Sequence, residues 1–260
     1  MSRTCWVAVS IVPMAGVLAA GGVARAETDE TGAEIIAARG PANEDSFTPG
    51  LTHAAAAGRG IITATTQFTD PLPKDKTTLD LNAEIQLLGP LRLVLRVDQI
   101  FGNKAQPGIG AAVQFLSQAH FGVDASAYFS YKSEGFTEAE GELEGLVAFG
   151  RQMGAVHGTL NLAYGQDVDN RERDGEVALG LHVEPLPGLF TGVIGRFRDA
   201  LGSNGDKGTG IVRDALAGLT ATYVVGRFGL TGTVGYAGVK QVASALEGGT
   251  EAAVALGAVF

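Results

Sequence analysis

From about Gly60 to the last residue, the chain is a succession of segments, each about ten residues long, in which apolar and polar side chains alternate. Successive side chains of a β-strand point to opposite faces, so the alternation predicts strands with one apolar and one polar face. Turn-forming residues separate the segments. Twelve strands are predicted, near residues 60–69, 77–88, 91–101, 109–118, 121–132, 141–151, 156–166, 175–185, 189–199, 213–225, 228–238 and 250–260.

The connections between the predicted strands alternate between short and long. Tight turns such as LGP (88–90) and PLPG (185–188) follow the even-numbered strands, whereas longer connections such as DVDNRERDG (167–175) follow the odd-numbered ones. A soluble β-sandwich has no reason to sort its loops in this way. The pattern predicts an antiparallel up-and-down barrel over residues 60–260 with its tight turns at one rim. An even number of strands brings both ends of the barrel chain to that rim.

One parity of the predicted strands is apolar and contains no charged residue. It includes Leu79, Leu81, Ala83, Ile85 and Leu87 in the second strand, Leu91, Leu93, Leu95 and Val97 in the third, and Val177, Leu179, Leu181 and Val183 in the eighth. A second layer would cover such a surface in a water-soluble protein, but the chain has few helix candidates to supply one. Lipid is therefore the predicted covering. Because backbone polar groups cannot stay unpaired in lipid, the strands are expected to close into a transmembrane β-barrel.

The opposite parity carries the polar side chains, which would line the lumen of such a barrel. The candidate pore-lining residues are Asp80, Glu84, Arg92, Arg96, Asp124, Glu142, Glu144, His157, Asn161, His182, Arg196 and Arg198. Glu84 and Arg96 are predicted partners on neighbouring strands, and Arg196 and Arg198 are predicted to form a basic group opposite the acidic strands. The resulting field would orient a polar solute. The alternative is that the interior charges only neutralise one another.

The first 59 residues lie outside the alternating region. Residues 1–26 predict a cleaved export signal, because a charge at Arg3 precedes an apolar run that ends in Ala24-Arg25-Ala26. We expect the mature chain to start at Glu27, without the single cysteine and the single tryptophan. Residues 27–59 are acidic and interrupted by Gly-Pro and Pro-Gly pairs, which predicts a flexible periplasmic segment. The alternative is a plug that folds onto the barrel.

The last predicted strand ends as AAVALGAVF (252–260), which alternates up to a terminal aromatic residue, Phe260. This ending resembles the C-terminal signal of bacterial outer-membrane proteins, although Leu256 and Ala258 stand where that family often has an earlier aromatic residue. With the export signal and the barrel, the whole chain resembles a porin-like outer-membrane β-barrel of a Gram-negative bacterium. The resemblance implies periplasmic tight turns, external long loops, contact with membrane lipid and lipopolysaccharide, and recognition of Phe260 by the barrel-assembly machinery.

A barrel of twelve strands lies between the filled eight-stranded barrels and the open channels of about sixteen strands. The favoured function is a narrow passive channel for small polar solutes or ions. The alternative is a non-conducting structural or adhesin-like barrel that acts through its external loops. The sequence identifies neither the solute nor the oligomeric state.

Other functional classes find little support in the sequence. None of the four histidines, His53, His120, His157 and His182, lies beside a serine on the apolar face or forms a pair with zinc-site spacing, so neither an enzyme nor a metal site is predicted. No cofactor motif is present in the sequence. The formal net charge is −9, and loss of Arg3 and Arg25 with the signal makes it −11, which disfavours nucleic-acid binding.

Overall fold

The computed structural model describes Thr48 and residues 51–53, 59–70, 77–101, 105–136, 140–168, 172–201, 211–241 and 245–260. These residues form twelve strands and one short helix: β1 (Gly60–Asp70), β2 (Thr77–Leu88), β3 (Leu91–Asp98), β4 (Gln106–Leu116), α1 (Gln118–Phe121), β5 (Asp124–Ser133), β6 (Gly141–Met153), β7 (Val156–Asp167), β8 (Arg173–Leu186), β9 (Leu189–Ala200), β10 (Ile211–Val225), β11 (Phe228–Gln241) and β12 (Leu246–Val259). The predicted signal peptide and residues 27–47 lie outside the described residues.

The strands form a single closed barrel in which each strand pairs antiparallel with its neighbours in the chain. Pairing of β1 with β12, from Ile61 opposite Val259 to Asp70 opposite Thr250, closes the wall. The carbonyl of Phe260 accepts hydrogen bonds from the N–H groups of Arg59 (2.7 Å) and Gly60 (3.0 Å). The last residue of the chain therefore takes part in the closing seam. The predicted all-β antiparallel up-and-down barrel of twelve strands is confirmed.

Tight turns connect the strands at the rim where the barrel chain begins and ends, which we call the short-turn rim. Gly154 between β6 and β7 has φ 62°, and Gly226 between β10 and β11 has φ 58°. Glycine adopts this left-handed conformation without steric cost, and two-residue hairpin turns require it because their twist then matches the twist of the strands. The opposite end, with the longer connections, is the long-loop rim.

The connection between β4 and β5 differs from the prediction. The sequence predicted a strand up to residue 118 and another from 121, whereas β4 ends at Leu116 and α1 occupies Gln118–Phe121. The carboxylate of Asp124 accepts a hydrogen bond from the backbone N–H of Gln118 (2.7 Å), which ties the start of the helix to the start of β5. Gly122, with φ 74°, ends the helix. The local hydrogen bonds thus favour a helical turn over continued strand pairing.

The two faces of the wall differ as the alternation predicts. Outward apolar side chains are exposed along the strands, among them Leu81, Leu95, Ile109, Phe129, Leu162, Leu179, Val193, Leu219, Leu230 and Leu256. Exposed aromatic side chains lie near both strand ends, with Phe121, Tyr223, Phe228 and Phe260 towards the short-turn rim and Phe68, Tyr164, Phe197 and Tyr236 towards the long-loop rim. Among the described helices, none is long and apolar enough to cross a membrane.

Candidate functional site: the lumen of the barrel

All twelve predicted pore-lining residues lie on the inward parity of their strands. They are Asp80 and Glu84 on β2, Arg92 and Arg96 on β3, Asp124 on β5, Glu142 and Glu144 on β6, His157 and Asn161 on β7, His182 on β8, and Arg196 and Arg198 on β9. Several of them lie near a rim, and two of these bind the backbone of a connection there. Asp124 binds the α1 turn at the short-turn rim, and Asp80 accepts a hydrogen bond from the backbone N–H of Gln99 (2.7 Å) at the long-loop rim. For all twelve residues, a role in lining a pore stays a prediction.

One group of charges spans β3, β5 and β6, and we call it the first charge cluster: Arg96, Asp98, Lys132, Glu142 and Glu144. Arg96 forms an ion pair with Glu144, and its Nε lies 3.6 Å from Asp98 Oδ2. Lys132 Nζ lies 3.0 Å from Glu144 Oε1 and 3.1 Å from Glu142 Oε2. Lys132 was absent from the predicted set although it shares the inward parity of Tyr128 and Ser130. The alternation itself would have identified it.

Two strands, β4 and β5, lie between Arg96 and Glu144, and a glycine on β4 leaves room for the arginine side chain. Gly108 of β4 lies opposite Arg96 in the strand register. A Cβ atom at Gly108 would stand 2.8 Å from Arg96 Cγ, so a larger residue would occupy the path of the side chain. The ion pair therefore depends on β4 as well as on the two strands that carry the charges.

The predicted partnership of Glu84 with Arg96 is wrong. Glu84 lies opposite Val94, so Arg92 and Arg96 are both its diagonal neighbours on β3. The structure pairs Glu84 with Arg92, with 3.6 Å between Oε2 and Nη1, while Arg96 contacts Glu144. Sequence spacing does not distinguish between two diagonal neighbours on the same strand.

The second group of charges lies on β8, β9, β10 and β12, and we call it the second charge cluster: Asp174, Arg196, Arg198, Asp214 and Glu251. Arg196 Nη2 lies 3.2 Å from Asp214 Oδ2 and 3.3 Å from Glu251 Oε1, and the side chains of both acids are at most 10% exposed. Arg198 forms an ion pair with Asp174. The two arginines therefore bind acids on nearby strands, whereas the sequence predicted a basic group that faces the acidic strands. Their arrangement matches the alternative, in which the interior charges neutralise one another.

Residues from before the first strand lie inside the barrel, and three of them, Leu51–His53, contact the inward face. We call Thr48 and Leu51–His53 the lumen segment. His53 Nε2 lies 3.1 Å from Glu84 Oε2 and 3.4 Å from Arg92 Nη1. The hydroxyl of Tyr128 donates a hydrogen bond to the His53 carbonyl (2.9 Å). His53, Glu84 and Arg92 are all at most 5% exposed, so these contacts are shielded from water.

The backbone of Thr52 is also engaged. With the Asn161 amide oriented so that its oxygen faces the Thr52 N–H, that oxygen accepts a hydrogen bond (2.5 Å) and the amide nitrogen donates to the Thr52 carbonyl (3.1 Å). Asn161 thus supplies the donor and the acceptor that a neighbouring strand would supply. A backbone segment away from the sheet needs such partners when it is buried.

Leu51 contacts a different part of the wall. It packs against an apolar cluster of inward side chains on β9, β10 and β11, which consists of Ile194, Leu216, Ala237 and Val239. Its Cδ1 atom lies 2.5 Å from the position that a Cβ of Gly180 on β8 would take. The sequence placed residues 27–59 in a flexible segment, with a plug as the alternative. Leu51–His53 contacts the inner wall, while Thr48 is buried and accepts a hydrogen bond from the Leu51 N–H (3.2 Å). Whether residues 27–59 as a whole are flexible or form a plug stays a prediction, and residues 27–47, 49–50 and 54–58 lie outside the described part.

The lumen near the short-turn rim is lined by buried side chains. Ile61 and Val259 pack together with Val224 of β10, and the ring of Phe190 meets the ring of His157 edge-on at 5.2 Å between centroids. Further in, Thr222 and Thr231 share a hydrogen bond of 2.8 Å across β10 and β11. His182, which lies opposite His157 in the strand register, is fully buried. These contacts join strands that are close together along the wall.

A cavity of about 230 Å³ remains on the β1–β6 side of the lumen. Its lining includes Thr65, Asp80, Asn82, Arg96, Ser130 and Glu144, and Thr52 of the lumen segment contributes to its wall. Apolar side chains such as Val94 and Leu146 complete the lining, so the cavity has a mixed surface whose charged groups include Arg96 and Glu144 of the first charge cluster. Among the described residues, no group of three or more histidine, cysteine, aspartate or glutamate side chains is placed to hold a metal ion.

Neither a protein-family model nor a curated protein sequence matches the chain. Solved structures do match it. An outer membrane channel from Pseudomonas putida F1 aligns with a TM-score of 0.56 and 13% identity, covering 82% of this chain and 99% of that one. The NanC porin aligns with a TM-score of 0.49 and 8% identity, covering 76% and 98%. The first likeness shows that the chain has the fold of an outer-membrane β-barrel.

Proposed function

We propose that the protein resides in the outer membrane of a Gram-negative bacterium and provides a narrow passive pathway for small polar solutes or ions. The observation that carries the proposal is the contrast between the two faces of one closed wall. The outer face is apolar with aromatic residues near both ends, which fits the hydrocarbon and interfacial zones of a bilayer. The inner face carries two charge clusters and a cavity into which charged side chains point. The fold shared with a solved outer membrane channel supports the same conclusion.

The charges inside favour cations over anions. The first charge cluster contains the cations Arg96 and Lys132 and the three carboxylates of Asp98, Glu142 and Glu144. The second contains the same excess, since Arg196 and Arg198 face the carboxylates of Asp174, Asp214 and Glu251. A lumen with an excess of one sign of charge concentrates ions of the opposite sign. We therefore expect weak cation selectivity.

Planar-bilayer recording of the refolded mature chain tests this proposal. We expect unitary current steps, and a reversal potential across a potassium chloride gradient on the cation-selective side. Asp174→Asn should shift the reversal potential towards anions, and Arg198→Gln should shift it towards cations, because the two side chains form one exposed pair. A folded barrel that never conducts, even after the release of the lumen segment described below, would favour a structural or adhesin-like role for its external loops.

Export and assembly follow from the same assignment. Residues 1–26 would direct export, the long-loop rim would face outwards and contact lipopolysaccharide, and residues 27–47 would start on the periplasmic side. The barrel-assembly machinery would recognise the last strand through Phe260. Support comes from the position of that residue, since its backbone joins the seam and its ring lies against Gly60.

A further inference from the structure

Three consecutive residues of the lumen segment contact widely separated parts of the wall. His53 meets Glu84, Arg92 and Tyr128 on β2, β3 and β5. Leu51 meets the apolar cluster on β9, β10 and β11. These two groups of strands lie across the barrel from each other, because the twelve strands follow one another around the wall in chain order. Leu51–His53 therefore crosses the lumen.

The wall is chemically matched to each residue that crosses it. His53 meets a carboxylate and a phenol hydroxyl, and Thr52 meets the amide of Asn161, which can satisfy both polar groups of its backbone. Leu51 meets apolar side chains that face inwards, although inward positions of such barrels are normally polar. Apolar side chains that faced a water-filled lumen would be unfavourable, and Leu51 removes that contact with water.

We propose that Leu51–His53 is a built-in gate that closes the conducting pathway, and that conduction requires this segment to leave its contacts. The inference rests on the proposed channel function and adds its regulation. The gate acts as an intramolecular ligand of the lumen. On one side of the barrel His53 takes the place of water or solute beside Glu84. On the opposite side Leu51 covers the apolar cluster.

A reversible disulfide tests whether the segment blocks the pathway. The mature chain is expected to contain no cysteine, so Leu51→Cys with Gly180→Cys would introduce the only pair. The two positions are neighbours, since Leu51 Cδ1 lies 2.5 Å from a Cβ built at Gly180. Because a leucine Cδ1 lies about 2.5 Å from its own Cβ, the two Cβ atoms are at most about 5 Å apart, close to the roughly 3.5–4.5 Å that a disulfide spans. Oxidation should abolish current steps of the refolded full mature chain, and a reductant should restore them. Failure of the pair to cross-link in the folded barrel would overturn the proposal.

A variant whose lumen segment has lost its contacts with the wall, called the released variant, tests the opposite change: the gate should open more often. Leu51→Ser with His53→Ala changes the lumen segment and leaves the barrel wall intact. Open probability should rise at least about tenfold, the ratio expected when a charge-assisted hydrogen bond is lost from the closed state. His120→Ala is the matched control, because that histidine belongs to α1 at the short-turn rim, and it should behave like the unaltered chain.

The outcomes separate the gate from the channel. If the oxidised, cross-linked barrel conducts as freely as the reduced one, the gate is refuted while the channel function stands. If the released variant matches the unaltered chain and both conduct, the gate is refuted as well. If all variants fold, as judged by their heat-modifiable gel mobility, and none conducts, the channel function itself is contradicted.

Discussion

Replacing Arg196 by alanine removes the guanidinium that lies between two buried carboxylates. Its Nη2 atom is 3.2 Å from Asp214 Oδ2 and 3.3 Å from Glu251 Oε1. The side chain of Arg196 is 17% exposed, and those of Asp214 and Glu251 are 10% and 6% exposed. Without the arginine, two like charges would remain close together in a site with little access to water.

The expected loss of stability follows from this burial. Removal of one partner from a buried ion pair typically costs about 3–5 kcal/mol, because the other charge loses its counter-ion while it stays desolvated. Arg198 provides a matched comparison on the same face of β9, since its side chain is 47% exposed and pairs with Asp174. An exposed pair contributes about 0–1 kcal/mol, so Arg198→Ala should be nearly neutral.

The free energy of unfolding of the mature barrel, refolded in lipid vesicles and titrated with guanidinium chloride, measures both effects. Far-ultraviolet circular dichroism is the suitable signal, because Trp6 lies within the predicted export signal. Neutralising the acids in the Arg196→Ala background, with Asp214→Asn and Glu251→Gln, should recover part of the loss. Equal losses for Arg196→Ala and Arg198→Ala would refute the reasoning, because burial would then not decide the cost.

Three further predictions concern the wall, the orientation and the seam. Gly192→Val should lower the free energy of unfolding by about 1–3 kcal/mol, because the valine side chain would overlap the neighbouring strand. Gly232 has open space around it, so Gly232→Val should change the free energy of unfolding by less than about 1 kcal/mol in the same titration. A cysteine at Phe136 should react with a membrane-impermeant maleimide on intact cells, and one at Ala155 should not; the reverse pattern would invert the orientation. Deletion of Phe260 should lower the fraction of heat-modifiable barrel in outer membranes, and an unchanged fraction would exclude a role in assembly.

The fold was predictable because its main signals are local. Alternation with a period of two assigns each strand residue to a face, so Leu179 and His182 could be placed outside and inside without knowledge of their neighbours. Connection lengths then ordered the strands. The exception was the β4–β5 connection, where the Asp124 carboxylate stabilises a helical turn through contacts that the alternation does not report.

The candidate site was predictable as a set of positions but not as a set of contacts. Inward parity identified Arg96 and Arg196, yet their partners Glu144 and Glu251 lie on strands that are not their immediate neighbours. The Arg96–Glu144 pair also needs Gly108, which leaves a path for the arginine side chain. The sequence does not indicate that a strand glycine has this role.

The sequence by itself determined the number of strands, their two faces and the closing role of the last one, because backbone pairing and side-chain alternation repeat along the chain. Only the tertiary structure decided which inward charges pair and what occupies the lumen. Closure of the barrel brings side chains from distant strands within reach of one another. It also encloses Leu51–His53, whose partners on β2, β3, β5, β7 and β9–β11 are brought together by that curvature alone.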